Sequence, residues 1–132
     1  MSEGVKLEIV NPEKSFLTKD GVSEVVVPAF EGDMGILKDH ISIISFLKPG
    51  LVRIFEASNE ETYYVDDGIV EFKNNCLSIL TSNIFDIKKI DKNIVRDALA
   101  KAEQDNQKKD ISDQSKYLID QKIEVLKNLT LN

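Results

Sequence analysis

Few residues in this chain are able to do acid–base, nucleophilic or metal chemistry. One histidine, His40, and one cysteine, Cys76, occur among 132 residues, beside 23 Asp+Glu and 17 Lys+Arg. A Cys–His nucleophile needs the two side chains within hydrogen-bond reach. Cys76 abuts Leu77 in an expected strand, remote in sequence from His40, and reads as a small core or half-buried thiol. Asp39 precedes His40 directly, but adjacent side chains diverge in extended chain, so His40 reads as a surface or interface histidine. Glu31, Asp33, Asp39 and His40 are the set that could converge on a divalent metal. Their spacing matches neither a calcium loop nor a zinc motif, so a solvated acidic loop is expected. Gly32-Asp33-Met34-Gly35 superficially resembles a phosphate-binding glycine loop. It lacks the Lys-Ser/Thr and the helix that follow such a loop, and its acids would repel phosphate. One Cys and one His exclude a disulfide framework, a cysteine zinc site and paired-histidine metal motifs. No metal and no cofactor are therefore expected, and a partner-binding or mechanical role is favoured.

The charge balance narrows the partners. A formal net charge of −6 and an isoelectric point near 4.8 argue against a nucleic-acid binder, which needs a basic face for counterion release. Hydrophobic residues are 42% and charged ones 30%, with mean hydropathy −0.21, the balance of a soluble globular protein. No apolar run approaches the roughly 18 residues of a membrane span. Met1-Ser2-Glu3-Gly4 opens neither a secretory signal nor a transit peptide. The lone thiol suits a reducing cytoplasm.

Composition divides the chain in two. All Gly, Pro and Phe lie at or before Phe85, where 7 Lys+Arg face 14 Asp+Glu; residues 86–132 carry 10 against 9. Breakers and aromatics confined to residues 1–85 predict many short strands there, and their absence afterwards predicts helix. Val5 to Ile9 alternates strictly, and Val22 to Val27, Leu51 to Phe55, Thr62 to Val65, Ile69 to Phe72 and Leu77 to Leu80 read as further strands. Lys73-Asn74-Asn75-Cys76 reads as a tight hairpin because Asn tolerates positive φ. Such spacing suggests a sandwich or barrel rather than a parallel sheet. Asn59-Glu60-Glu61 is expected at an exposed hairpin tip, and Asp66-Asp67 suggests no chemistry.

In the second part, Asp91 can cap a helix over about 91–107 with apolar positions Ile94, Val95, Ala98, Leu99 and Ala102. Lys108-Lys109 suit its carboxyl end. Asp110 can cap a helix over about 111–129 striped by Ile111, Leu118, Ile119, Ile123, Val125, Leu126 and Leu129. A helical hairpin and one continuous helix both satisfy this pattern, since no Gly or Pro marks the turn. The expected fold class is α+β in segregated segments: an N-terminal β-sandwich (1–85), then a C-terminal antiparallel two-helix hairpin (86–132).

One ordered run carries a resemblance. Pro28-Ala29-Phe30-Glu31-Gly32-Asp33-Met34-Gly35-Ile36-Leu37-Lys38-Asp39-His40, followed by Phe46-Leu47-Lys48-Pro49-Gly50-Leu51-Val52-Arg53-Ile54, resembles the epsilon subunit of bacterial F-type ATP synthase. The opening strand with Asn11-Pro12-Glu13-Lys14 and the later Tyr64-Val65-Asp66-Asp67-Gly68-Ile69-Val70-Glu71-Phe72 are similar to the same family. The resemblance implies a ten-stranded sandwich with two helices, placed in a central stalk between the gamma subunit and the membrane-embedded c-ring. It implies a noncatalytic part that turns with both, on the cytoplasmic face of the bacterial inner membrane, held at the membrane through the complex. By that analogy Glu31, Asp33 and nearby His40 face the c-ring, where charge complementarity sets register. Ile41, Ile43 and Ile44 are hypothesised to face gamma, and the alpha and beta subunits are further partners for the C-terminal helices.

The chain also departs from the family. Leu37-Lys38-Asp39-His40-Ile41-Ser42 stands where relatives often have Leu-Pro-x-His-Ala-Pro, so this loop's rigidity is expected to differ. Ile90-Asp91 keep the opening of an ATP-binding Ile-Asp-x-x-Arg-Ala run, but Ile94 takes the Arg place and the second helix has no Arg. Lys116, Lys122 and Lys127 are offset by Asp113, Asp120 and Glu124, so weak or no inhibition of ATP hydrolysis is expected. A free-standing adaptor shares every composition argument and lacks only the motif run; a cupin-type metal enzyme would need several His.

Overall fold

The computed structural model describes residues 4–130. Ten strands precede two helices: β1 Val5–Asn11, β2 Lys14–Val22, β3 Glu24–Ala29, β4 Gly32–Leu37, β5 Ile43–Leu47, β6 Gly50–Glu56, β7 Asn59–Val65, β8 Gly68–Lys73, β9 Cys76–Thr81, β10 Ile84–Asp86, α1 Lys92–Asp105 and α2 Asp113–Thr130. The alternation in β1 has the expected result: Val5, Leu7 and Ile9 are fully buried, whereas Lys6 is exposed.

Hydrogen bonding orders the strands β10-β7-β6-β3-β5-β8-β9-β1-β2, with β4 paired to β3. Strand β3 makes the corner. Its first half pairs with β6 through Glu24↔Phe55, Val25↔Ile54 and Val26↔Arg53, while its last residue pairs with β5 through Ala29↔Leu47. The chain therefore folds into two layers around a core that includes Val25, Val27, Val52 and Ile54 from one side and Leu7, Ile9, Phe72, Leu77 and Ile79 from the other. Lys19 of β2, at one end of this order, reaches across to β6 and β7, its Nζ 2.8 Å from Glu56 and 3.3 Å from Glu61. The β1–β9 pair is parallel and every other described pair is antiparallel.

Several local expectations need correction. Val22 to Val27 is not one strand: β2 ends at Val22 and β3 begins at Glu24, with Ser23 donating its amide and hydroxyl to the Phe55 carbonyl at 2.9 and 2.7 Å. The glycine-punctuated stretch Gly32–Leu37 is strand β4, and β5 and β10 are also strands. The two helices form the hairpin, not one rod. Asp91 caps α1, accepting from the Asn93 amide at 2.8 Å. The second helix starts at Asp113, and Ser112 rather than Asp110 accepts from an amide of its first turn, that of Ser115 at 3.1 Å. Lys108 lies beyond the end of α1, 3.1 Å from Asp105. Ile94 is exposed, outside the apolar seam.

The hairpin sits on a cross-strand row. Leu51, Tyr64 and Phe85 are register partners on β6, β7 and β10, with Tyr64 and Phe85 stacked at 5.5 Å. Val95 and Leu126 are buried against this row, joined by half-buried Ala98, Leu99, Val125 and Leu129. On the inner layer, Gly68 pairs with Leu47 and Thr81, and a Cβ there would collide with the Leu80 carbonyl oxygen. Gly68→Ala is expected to cost about 1–3 kcal/mol, as overpacked sites do; an unshifted urea midpoint would show that β8 and β9 are not so close.

Candidate functional site

The register of β3 on β4 runs from Glu24↔Leu37 to Ala29↔Gly32, so the chain reverses at Phe30 and Glu31. Gly32 follows at φ +129, a conformation that glycine adopts readily. Glu31 and Asp33 flank it, both exposed. They border a groove of about 510 Å³ with Phe30, Met34, Ser45 and Phe46. The Phe30 ring lies 6.3 Å from Phe46 and 6.0 Å from Tyr117 of α2.

His40 is not part of this turn. It lies beyond the opposite end of β4, whose six residues span about 17 Å. The expected cluster of Glu31, Asp33 and His40 is thus split in two, and no group of three or more His, Cys, Asp or Glu suited to a metal occurs among the described residues. His40 Nδ1 is 2.7 Å from the Ile41 carbonyl oxygen, and its ring meets Phe72 edge-on at 5.8 Å. Beside it the three isoleucines divide. Ile41 and Ile44 are 76% and 74% exposed. Ile43 packs against the core, because β5 alternates and Ile43 pairs with buried Phe72. It is half-buried, and its outer part lines a surface groove with Ser42, Ile44 and Glu71. Cys76 is half-buried at the start of β9.

Sequence reasoning missed an exposed apolar row on the sandwich. On the outer face of β5, β8, β9 and β1, register pairs Phe46↔Ile69, Ile69↔Leu80 and Leu80↔Val10 set an apolar row across four strands. Phe46, Ile69 and Leu80 are all exposed. The next outward row is Ile44, Glu71, Ser78 and Glu8. Exposed apolar patches rimmed by polar groups mark interaction sites. The available signal was a strand with apolar residues on both faces: Ile69 opposes Val70 and Phe72, and Leu80 opposes Leu77 and Ile79.

Sequence reasoning also missed Asp66, which is buried. Its carboxylate accepts from the Tyr64 hydroxyl and from Asn83 Nδ2, both at 2.7 Å, and lies 3.2 Å from Lys122 Nζ on α2. The turn after β7, the loop after β9 and the hairpin meet at this one group.

The sequence profile of the family described as ATP synthase, Delta/Epsilon chain, beta-sandwich domain matches residues 4–87. Over 129 residues, 98% of this chain and 99% of the relative, the sequence is 68% identical to the ATP synthase epsilon chain of Pelagibacter ubique. The chain belongs to the ATP synthase delta/epsilon family. Two solved structures share the fold of this family member. One is in the Euglena gracilis mitochondrial ATP synthase OSCP/F1/c-ring structure, with TM-score 0.71 and 18% identity over 96% of this chain and 79% of that one. The other is in the Tetrahymena thermophila mitochondrial ATP synthase central stalk/c-ring, with TM-score 0.66 and 17% identity over 98% of each chain.

In this epsilon-type chain Ile90 and Asp91, where the resemblance suggested the opening of a nucleotide motif, have structural work. Asp91 caps α1 and Ile90 packs on the Tyr64–Leu126 seam. Lys122 is engaged by Asp66, and Lys116 Nζ donates to Asn106 Oδ1 at 3.1 Å. Among the described residues no helix is long and apolar enough to cross a membrane.

Two stability predictions follow from the junction. Lys122→Ala strands a buried carboxylate. It should cost about 1–3 kcal/mol, less than the 3–5 of a fully buried pair, because Lys122 keeps 28% side-chain exposure. It should also speed amide exchange in α2; a wild-type urea midpoint and exchange pattern would show that the pair does not hold the hairpin. The second concerns alkali. Burial and then the Asp66 charge push the Tyr64 hydroxyl far up, and burial and then Glu61 do the same for Tyr63. The Glu56 hydrogen bond raises Lys19. All three hold their protons in the fold at a pH where the unfolded chain releases them. Their stabilisation is complete below about pH 10 and is lost as pH rises further. Thermal melts should fall above that pH, less steeply for Tyr64→Phe; a flat profile to pH 11 would contradict this.

Proposed function

We propose that this chain is a noncatalytic central-stalk subunit of a rotary F-type ATP synthase, binding the gamma subunit and the c-ring and passing proton-driven rotation toward ATP synthesis. The observation that carries the reading is the pairing, on one hydrogen-bonded sandwich, of an exposed apolar face with an exposed acidic turn. Phe46, Ile69 and Leu80, with Ile41 and Ile44 beyond them, suit a partner that adheres by apolar area. Glu31 and Asp33, standing clear at the Phe30–Gly32 turn, suit a basic partner surface. We assign the apolar face to gamma and the acidic turn to the c-ring. His40, at the other end of β4, goes with the gamma-facing loop. The 68% identical epsilon chain and the stalk assemblies that share the fold support this reading.

The sandwich (1–85) is the adhesive part and the hairpin (86–132) a docked appendage. The hairpin inhibits ATP hydrolysis weakly or not at all, because Lys116 and Lys122 are already engaged within the chain. The subunit itself transforms no substrate and needs no cofactor, and it stays at the cytoplasmic face of the bacterial inner membrane through the complex.

The test separates the two surfaces. Phe46→Ala should weaken capture of the gamma-containing head by about 10–100-fold, the effect of losing about 1.5–3 kcal/mol of apolar burial, while the variant folds normally. Glu31→Arg with Asp33→Arg should keep gamma binding and lower proton pumping by the assembled enzyme. Normal pumping would remove the acidic turn from the ring, and normal capture by Phe46→Ala would remove the apolar face from gamma.

A further inference from the structure

We infer that Asn75, in the turn between β8 and β9, is a positioning residue that clamps the loop 38–42 and so fixes how Ile41 is presented to the partner beside Ile44 of β5. The inference rests on the reading that this face meets gamma.

The loop contains neither glycine nor proline, yet it turns sharply. The His40 amide donates to the Leu37 carbonyl at 3.1 Å, and Asp39 is held at φ +68. Left-handed backbone is unfavourable for a residue with a side chain and is least so for Asn and Asp. Something outside the loop must hold it, and Asn75 makes the contact in both directions. The Asp39 amide donates to Asn75 Oδ1 at 2.7 Å, and Asn75 Nδ2 donates to Asp39 Oδ1 at 3.2 Å. A primary amide offers an acceptor and a donor together, so one Asn side chain satisfies both the backbone and the side chain of Asp39.

Asn75 is anchored in turn. It sits at φ +58 beside Asn74 at φ +54, and its carbonyl accepts from the Lys6 amide of β1 at 2.9 Å. Loop, turn and first strand therefore form one linked path. His40 completes it, its ring against Phe72 and its Nδ1 within hydrogen-bond reach of Ile41 O. Just beyond this clamp in the chain stand the two most exposed large apolar side chains of the described residues, Ile41 in the loop and Ile44 in β5. A loop already ordered before docking spares the partner the entropy of ordering it. The clamp does here what prolines do in a loop that has them.

Asn75→Gly tests this cleanly, because glycine keeps φ +58 while both hydrogen bonds are lost. In the full chain the Asp39 amide should exchange at least about tenfold faster than wild type with the thermal midpoint retained, and capture of the gamma-containing head should weaken by about tenfold. Asp39→Asn keeps an acceptor at the same place and tolerates the same φ, so it should keep both wild-type exchange and wild-type capture. Unchanged Asp39 exchange in Asn75→Gly would overturn the clamp. Faster exchange with normal capture, while Phe46→Ala fails to capture, would overturn the positioning role alone. Normal capture by both variants would instead mean that the face does not meet gamma.

Discussion

A carboxylate with 5% exposure cannot be left alone in a protein interior, and Asp66 is that group here. Its burial obliges nearby donors to come to it, and they come from three places: Tyr64 in β7, Asn83 before β10 and Lys122 on α2. The apolar seam beneath it, with Tyr64 and Leu126 at its centre, would by itself tolerate sliding of the hairpin along the sheet, since apolar contact is non-directional. The ion pair does not add much attraction once desolvation is counted. What it adds is a single register, because the charge is satisfied at only one placement of the helix.

The same economy appears in the sandwich. Strands β8 and β9 must bury Val70, Phe72, Leu77 and Ile79 to build the core, yet they also carry Ile69 and Leu80 outward. A protein that needed only to fold would put polar residues at those positions. The outward apolar row is a cost in solubility that folding alone does not explain, and it runs across the paired strands β5-β8-β9-β1. On the proposed role, adhesion is mounted on this run of paired strands, while the charged turn at Glu31 and Asp33 projects from a reversal where a side chain reaches solvent at little cost.

What could be read from the sequence was what is local. The alternation of Val5, Leu7 and Ile9, the left-handed Asn74-Asn75 turn and the Asp91 cap each depend on neighbours a few residues apart, and each is found as expected. Strand β4 was hidden because Gly32 and Gly35 look like turns, although Gly35 lies inside the strand, paired with Val26. Asp66 was hidden for the opposite reason. Nothing in Asp66-Asp67 distinguishes a buried carboxylate from an exposed one until Lys122, 56 residues later, is brought beside it. The split of Glu31 and Asp33 from His40 likewise became visible only once the residues between them proved to be extended.

On the proposed central-stalk role, torque transmission supplies a reason for this arrangement. Hydrogen-bonded strands resist shear along their length, whereas an apolar contact resists separation but permits sliding, and an exposed ion pair contributes only about 0–1 kcal/mol. A part that must turn with two neighbours therefore needs apolar area for grip, charge for angular register, and a stiff body between the two. One continuous ten-stranded sheet, with Lys19 tying β2 to β6 and β7, meets the last need. The hairpin, fastened among the described residues by the Tyr64–Leu126 seam, the Asp66–Lys122 pair and the Phe30–Tyr117 ring contact, lies outside that proposed load path. Its attachment can consequently be far weaker than the sandwich without weakening the coupling, which is the distribution of contacts observed.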